Sequence, residues 1–400
     1  MTDRDLQIES VEAWACSAPL SPPLSFGTYE LASREYVAVR VRTSGGLVAD
    51  CLALSRGAPS DVVILDLLGP VLLGENSADI SARVAQMAGR GFLLGSDGIM
   101  ARARSLLEIC LWDLAAQVAG VPLWRLLGAQ ERSLPALIVE GYSIAGESDE
   151  AFAERLVARV GEGYRALKIE AASYADLGQL RRRVELVRQQ VGEDVEIAID
   201  FAWSLANVED AADRLRDFRD LNIAWLEDPF AFDRVERTAR LRRDTAMPVG
   251  AGDEVTRPSG LIDLLEAEAV DVLRADALAI GGIAAASEIA ARASAQGVRL
   301  SLHIHPEIHE HCAMAWPACD HVEVLPQDRP FDRAHDLLTT TTLARVIDGR
   351  VSPPTAAGSG LRLDDHGVGR FAYRQGQVRL SDGPRGASRF RPSNSTGSAA

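Results

Sequence analysis

The chain has 400 residues, 47% of them hydrophobic and 25% charged, which is enough apolar material for a large core. Its formal net charge is −15, with Lys and Arg scattered along helical segments, so nucleic-acid binding is excluded as an expected function. Five isolated cysteines (Cys16, Cys51, Cys110, Cys312, Cys319) form no CxxC pair, and no apolar run reaches the roughly 18 residues of a span; these features exclude a disulfide scaffold and a membrane protein and lead us to expect a cytoplasmic one.

Residues 5–50 read as an antiparallel opening. The alternating runs "IESVEAW" and "YVAVRVRT" flank "SAPLSPPLSFG", a Pro-rich stretch expected to be a loop, and "TSGGL" is a turn between strands. From about Ser77 to Leu127 the period becomes helical, and Gly120 followed by Pro122 marks a helix stop. Residues 1–130 are therefore expected to form an α+β domain.

A rhythm of strands and helices begins after residue 133. Short β-rich runs start at "LPALIVEGY", "ALKIEA", "VEIAIDF", "IAWLEDP", "PVGAGDE", "VDVLRAD", "RLSLHI" and "HVEVLP", with amphipathic helices between them. Helical crossovers make successive strands parallel, and eight such strands close into a barrel, expected over residues 131–330. An open doubly wound sheet is the rival, but no Gly-rich phosphate turn follows the first strand. Residues 331–385 are expected to return to the first domain, and 386–400, Ser-, Asn- and Gly-rich, to be disordered.

Catalytic groups of such barrels stand at the carboxyl ends of the strands. Those ends carry Lys168 and Glu170, Asp200, Glu227 and Asp228, Asp253 and Glu254, Asp276, His303 and Glu323, an ionisable group on every strand from the second to the eighth. Asp200, Glu227 and Asp253 come from adjacent strands, and three converging carboxylates repel unless a cation sits among them. Hard oxygen ligands suit Mg²⁺. Each acid alone could equally be a helix cap.

Four of the seven histidines fall in "HIHPEIHEHC": His303, His305, His309 and His311. His309 and His311 are two apart on an expected helix starting at Pro306, so they cannot share a metal. His303 and His305 would suit a barrel zinc site, but residues 1–302 hold no histidine to complete it. His303 is then left as a base whose ring is held by Asp276. The other reading is a structural His–Asp pair, and His305, His309 and His311 are expected to be structural or rim residues.

These motifs, "GYRALKIE", "AIDFAWSL", "WLEDPF", "PVGAGDE", "RADALAIGGI" and "HIHPEIHEH", together with the helical "ARARSLLEICLWDLAAQVAGVPLWRLLG", resemble the enolase superfamily, and within it the mandelate racemase-like subgroup. The resemblance spans nearly all of residues 5–370. It implies a TIM-like (β/α)₇β barrel with an N-terminal α+β capping domain completed by C-terminal residues. It makes the 17–28 segment a lid, Asp200, Glu227 and Asp253 the Mg²⁺ ligands, and Asp276 and His303 a base dyad. Lys168 matches the first lysine of the family's KxK motif and Glu323 a group that contacts the substrate carboxylate, expected in its protonated form. A homo-oligomer with a small carboxylate substrate follows from the same source.

The second lysine of KxK is Glu170 here, expected to pair with Lys168. Without a lysine on the second face of the substrate, one-face chemistry is favoured: dehydration of an acid sugar, aldonate or aldarate, to a 2-keto-3-deoxy acid. The alternatives are a racemase or epimerase with Glu170 as second base, Lys168 opposing a raised Glu170 pKa, and a non-catalytic binding homologue. Ser17, Ser25 and Arg56 are the expected substrate contacts from the loops.

Overall fold

The computed structural model describes residues 2–26, 29–144, 146–174, 176–329, 331–339 and 345–382, less the side chains of Ser25, Phe26 and Tyr29. The segment expected to be a disordered tail, 386–400, lies outside the described residues. Two sheets organise the chain. In the first, β1 (Ile8–Phe26), β2 (Tyr29–Thr43) and β3 (Val48–Leu54) form an antiparallel meander.

The Pro-rich stretch is not a loop. β1 continues through it, pairing Ser17 with Glu35 and Ala18 with Arg34, and after a register shift between Pro19 and Leu24 it pairs Leu24 with Leu31. Pro22 and Pro23 fall inside that irregularity, where the ladder asks for no N–H donor. Leu20 and Leu24 at the far end of this hairpin pack with Val139, Tyr142 and Phe331, so the arm folds over the barrel mouth.

The helices α1 (Ser60–Val63), α2 (Ile80–Gly91), α3 (Ile99–Ala119) and α4 (Leu123–Leu126) follow. α3 is buried along most of its length and ends at Gly120, whose φ of 66° is the left-handed stop expected from the sequence. Glu108 of α3 accepts the N–H groups of Ile283 and Ala284 at 2.8 and 3.0 Å, tying this layer to the barrel. A Cβ on Gly282 would lie 2.2 Å from Glu108 Oε2, so the clasp requires glycine there.

The second sheet is the barrel. Its strands are β4 (Leu134–Val139), β5 (Ala166–Glu170), β6 (Glu196–Asp200) and β7 (Trp225–Glu227), then β8 (Val249–Ala251), β9 (Val272–Ala275), β10 (Arg299–Leu302) and β11 (Val322–Val324). Parallel ladders join β4 through β10 in order, and β11 pairs β4 from the other side. The β10–β11 seam closes through Leu300 N–H to Ala318 O at 2.8 Å and Ser301 Oγ with His321 Nε2 at 2.8 Å. The crossovers are α5 (Asp149–Gly161), α6 (Leu177–Val191), α7 (Val208–Leu215), α8 (Val235–Thr245), α9 (Pro258–Glu266), α10 (Ile283–Ala295) and α11 (Pro306–Ala315).

Beyond β11 a short hairpin, β12 (Val346–Ile347) and β13 (Arg350–Val351), pairs with β4. After α12 (Asp365–Phe371), β14 (Ala372–Arg379) joins the outer edge of the first sheet beside β1. No helix among the described residues is long and apolar enough to cross a membrane.

Because side chains alternate along a strand, inward positions come two apart. Ala166, Ala198, Trp225 and Val272 fill the lower barrel with Leu137. One step higher stand Lys168, Asp200, Glu227 and Arg274. The apolar floor and the polar layer are thus one pattern read at two heights.

Candidate metal centre and pocket at the barrel mouth

Asp200, Glu227 and Asp253 each offer a carboxylate oxygen within 4.8 Å of the others. The helices after β6, β7 and β8 take their N-caps at Asn207, Arg234 and Arg257, so the capping alternative for these acids falls. Lys168 Nζ lies 2.6 Å from Glu227, 3.0 Å from Glu323 and 3.5 Å from Asp200. Arg274, fully buried, reaches Asp253 at 2.6 Å, Glu323 at 2.7 Å and Glu227 at 3.3 Å.

Fully ionised, the four carboxylates of this cluster would outnumber its two cations, Lys168 and Arg274, by two charges. The strain shows at Asp200, whose carboxyl is pushed up to about 8 by burial and by the charges of Glu227 and Asp253, against Lys168. Asp228, beside it, is raised well above the carboxylate range by burial and the same neighbours. A dication with oxygen preference matches both the charge and the donor set, so the residues fit Mg²⁺.

Glu323 is not protonated as expected. Burial works to raise it, but Arg274 and Lys168 overcome that and hold it below its ordinary value. Lys168 and Glu170 do not pair either. Glu170 instead accepts the Ser173 N–H at 3.2 Å and its hydroxyl at 2.8 Å, because Lys168 is drawn to the carboxylates across the barrel. Burial pushes Glu170 up to about 7, and Lys168 is not among the groups that move it, contrary to expectation.

His303 is buried against the triad, with Nδ1 3.6 Å from Asp276 and Nε2 3.7 Å from Asp253. Asp276 also accepts the Leu278 N–H at 2.8 Å. Burial lowers the affinity of His303 for a proton, but Asp253, Asp276 and Glu254 reverse this and raise its pKa. His309 supports the arrangement from α11: its Nδ1 donates to Ile304 O at 2.6 Å and its Nε2 accepts the Ala277 N–H at 3.2 Å. His305 lines a neighbouring cavity with Pro306 and Glu307, away from the triad.

His311 lies outside the site. Its Nδ1 accepts the Trp124 N–H and its Nε2 faces Ser359 O, both at 3.0 Å, so only the neutral ring fits. Burial pushes it down to about 4. A folded pKa below the unfolded value means stability present above about pH 6.5 and lost as pH falls toward 4. Denaturant titration should show a loss of about 3 kcal/mol over that window that His311→Gln removes. A variant as acid-sensitive as the parent would refute it.

A cavity of about 390 Å³ opens above the triad. Lys168, Glu170, Asp200, Asp253, His303 and Glu323 line its floor, and Leu54, Val139, Tyr142, Trp203, Phe232 and Leu325 its walls. Arg56 is on the rim, but its guanidinium is already paired with Glu254. Ser17 is not in the cavity: its hydroxyl donates to Glu35 at 2.6 Å within the β1–β2 ladder, because the expected loop is a strand. The Ser25 side chain lies outside the described residues.

The sequence reading missed Arg274 and Arg34. The first was legible, since "VLRAD" puts Arg274 two residues before Asp276 and so on the same inward side. The second carried no local signal. Arg34 of β2 reaches the cavity only because the hairpin folds over the barrel.

Comparison with known proteins agrees with this geometry. Residues 10–128 match the family model of the mandelate racemase/muconate lactonizing enzyme N-terminal domain, and 151–367 that of the enolase C-terminal domain-like family. An arabinonate dehydratase of Saccharolobus solfataricus is 27% identical over 67% of this chain and 72% of its own. A D-xylonate dehydratase of Haloferax volcanii is 29% identical over 67% and 68%. The crystal structure of an L-talarate dehydratase of Polaromonas sp. JS666, complexed with Mg and L-glucarate, superposes with a TM-score of 0.82 at 25% identity over 93% of this chain and 99% of that one.

Proposed function

The chain belongs to the enolase-like mandelate racemase/muconate lactonizing enzyme family, and from that premise we propose that it is a Mg²⁺-dependent lyase that dehydrates an acid sugar to a 2-keto-3-deoxy acid. The observation that carries this is the convergence of Asp200, Glu227 and Asp253 beside His303, which shares the cavity with Asp200 and Asp253 and lies 3.6 Å from Asp276. The dehydratase names of the relatives support the reaction class.

Asp200, Glu227 and Asp253 would hold the Mg²⁺, which supplies positive charge for the substrate carboxylate and for the charge it gains as the α-proton leaves. His303 takes that proton at Nε2, since Nδ1 is turned to Asp276, whose carboxylate stabilises the imidazolium. The C–H electrons become the double bond, the β C–O bond breaks, and the imidazolium returns its proton to the departing hydroxide as water. The enol product tautomerises to the ketone. Lys168 and Arg274 keep the carboxylates in place and Glu323 ionised.

A second reading rests on Glu170. Its carboxyl, pushed up to about 7, lines the cavity from β5, on a different side from His303 just past the end of β10. It would serve as the second base of an epimerase, detectable as deuterium incorporation at the α-carbon with inversion and no water loss. Five free, buried cysteines among the described residues favour a reducing, cytoplasmic setting, and self-association is expected from the family.

The test is a screen of the Mg²⁺-loaded protein against aldonic and aldaric acids for 2-keto product. Chelation should abolish turnover, and Mg²⁺ alone should raise the melting temperature, because it binds only the folded triad. A melting temperature unmoved by millimolar Mg²⁺ would remove the triad as its site.

A further inference from the structure

Among the described residues, Arg34 is a buried cation without an ion-pair partner. It is 5% exposed, and its Nε donates to Phe331 O at 2.9 Å while Nη2 reaches Tyr142 Oη at 3.4 Å. Nη1 has no hydrogen-bond partner, and the guanidinium has no carboxylate partner, among the described residues. Other buried arginines have their donors taken up: Arg40 meets Asp50, Arg155 and Arg159 meet Glu140, and Arg188, which has no carboxylate partner among the described residues, donates to the carbonyls of Leu221, Gly192, Val195 and Asn222. Desolvating a guanidinium without an anion is costly, and its planar fork is shaped for a carboxylate.

Arg34 lines the same cavity as Asp200 and Asp253 of the triad, but from β2 and the folded-over hairpin. The triad stands on β6, β7 and the loop after β8. The indole Nε1 of Trp203, on the cavity wall, is a second buried donor with no partner among the described residues. Both groups ask a ligand for acceptor oxygens. A monoacid held by its carboxylate at the triad would satisfy the floor and leave the guanidinium unmatched. A diacid would match both.

We infer that the cavity is built for a dicarboxylate, an aldaric acid, with its second carboxylate on Arg34 and an intervening hydroxyl on the Trp203 indole. This rests on the acid-sugar reading above and narrows it. An aldonic acid of equal length presents a neutral hydroxymethyl group to Arg34 and leaves the guanidinium uncompensated.

The experiment compares galactarate with galactonate, and glucarate with gluconate, by calorimetric titration of the Mg²⁺-loaded full chain and by 2-keto product formation. Each aldarate should bind at least tenfold more tightly than its aldonate. Arg34→Gln should reduce that ratio tenfold or more, and Arg34→Lys, which keeps charge but loses the fork, should fall between. The Mg²⁺-induced rise in melting temperature reports whether each variant is folded. If Arg34→Gln does not fold, the Lys variant alone decides, an undiminished ratio overturning the inference. Equal affinity for both acids, or a ratio that survives Arg34→Gln, also overturns it. Dehydration of aldonates without preference would do so while leaving the dehydratase reading standing, whereas neither acid binding would overturn both.

Discussion

His303→Ala should lower turnover by roughly 10³- to 10⁴-fold while leaving the protein folded, the upper part of the range for removing a positioned base. The expectation follows from where the ring sits. His303 closes the strand end beside the triad, its Nδ1 lies 3.6 Å from Asp276, and it makes no hydrogen bond on which the fold relies. Asp276 keeps the Leu278 N–H when the imidazole is gone, so the loop after β9 has no reason to move. The measurement pairs steady-state turnover with exchange of the substrate α-proton in D₂O. Both should fall together, since the same nitrogen begins both. If exchange stayed within tenfold of the parent, His303 would not be the base, and Glu170 would become the leading candidate.

Arg274→Leu should cost about 3–5 kcal/mol of stability in the absence of divalent metal. The guanidinium is wholly buried and touches Asp253, Glu227 and Glu323, with Ser301 as a fourth partner. Its removal leaves three desolvated carboxylates with Lys168 as their remaining cation, the situation in which breaking a buried network is most damaging. Mg²⁺ should restore part of the loss, because it returns positive charge to the same oxygens. Arg292→Ala, which removes an exposed pair with Glu288, is the contrast and should stay within roughly 0.5 kcal/mol. Denaturant unfolding of both variants with and without Mg²⁺ measures the difference. Equal small losses would mean that water reaches the cluster and that its charges are not confined as described.

Much of the site was legible because it is periodic. Residues two apart on a strand share a side, and in a parallel barrel every strand ends on the same rim. The placing of Asp200, Asp253 and His303 in one cavity, with Glu227 and Asp276 directly beside them, therefore follows from strand recognition alone. The return of the chain to the first sheet was readable only as a fading pattern, and β14 gives it a register.

The expectations that failed concern partners chosen across the barrel. Lys168 and Glu170 are neighbours in sequence, but opposite charges in a low-dielectric interior settle with whichever counter-charge lies nearest in space, and for Lys168 that is Glu227. Glu323 is ionised for the same reason: Arg274, absent from the sequence reading, stands beside it. The Pro-rich stretch became a strand because its partner, residues 30–35, supplies a ladder that local composition does not reveal. Arg34 reaches the cavity only through that hairpin. The one-dimensional pattern determined which residues face the barrel mouth, since that depends on strand period and chain order. Which of them pair, which stay charged and which are left without a counter-ion was decided by distances between separate strands, and those exist only once the barrel closes.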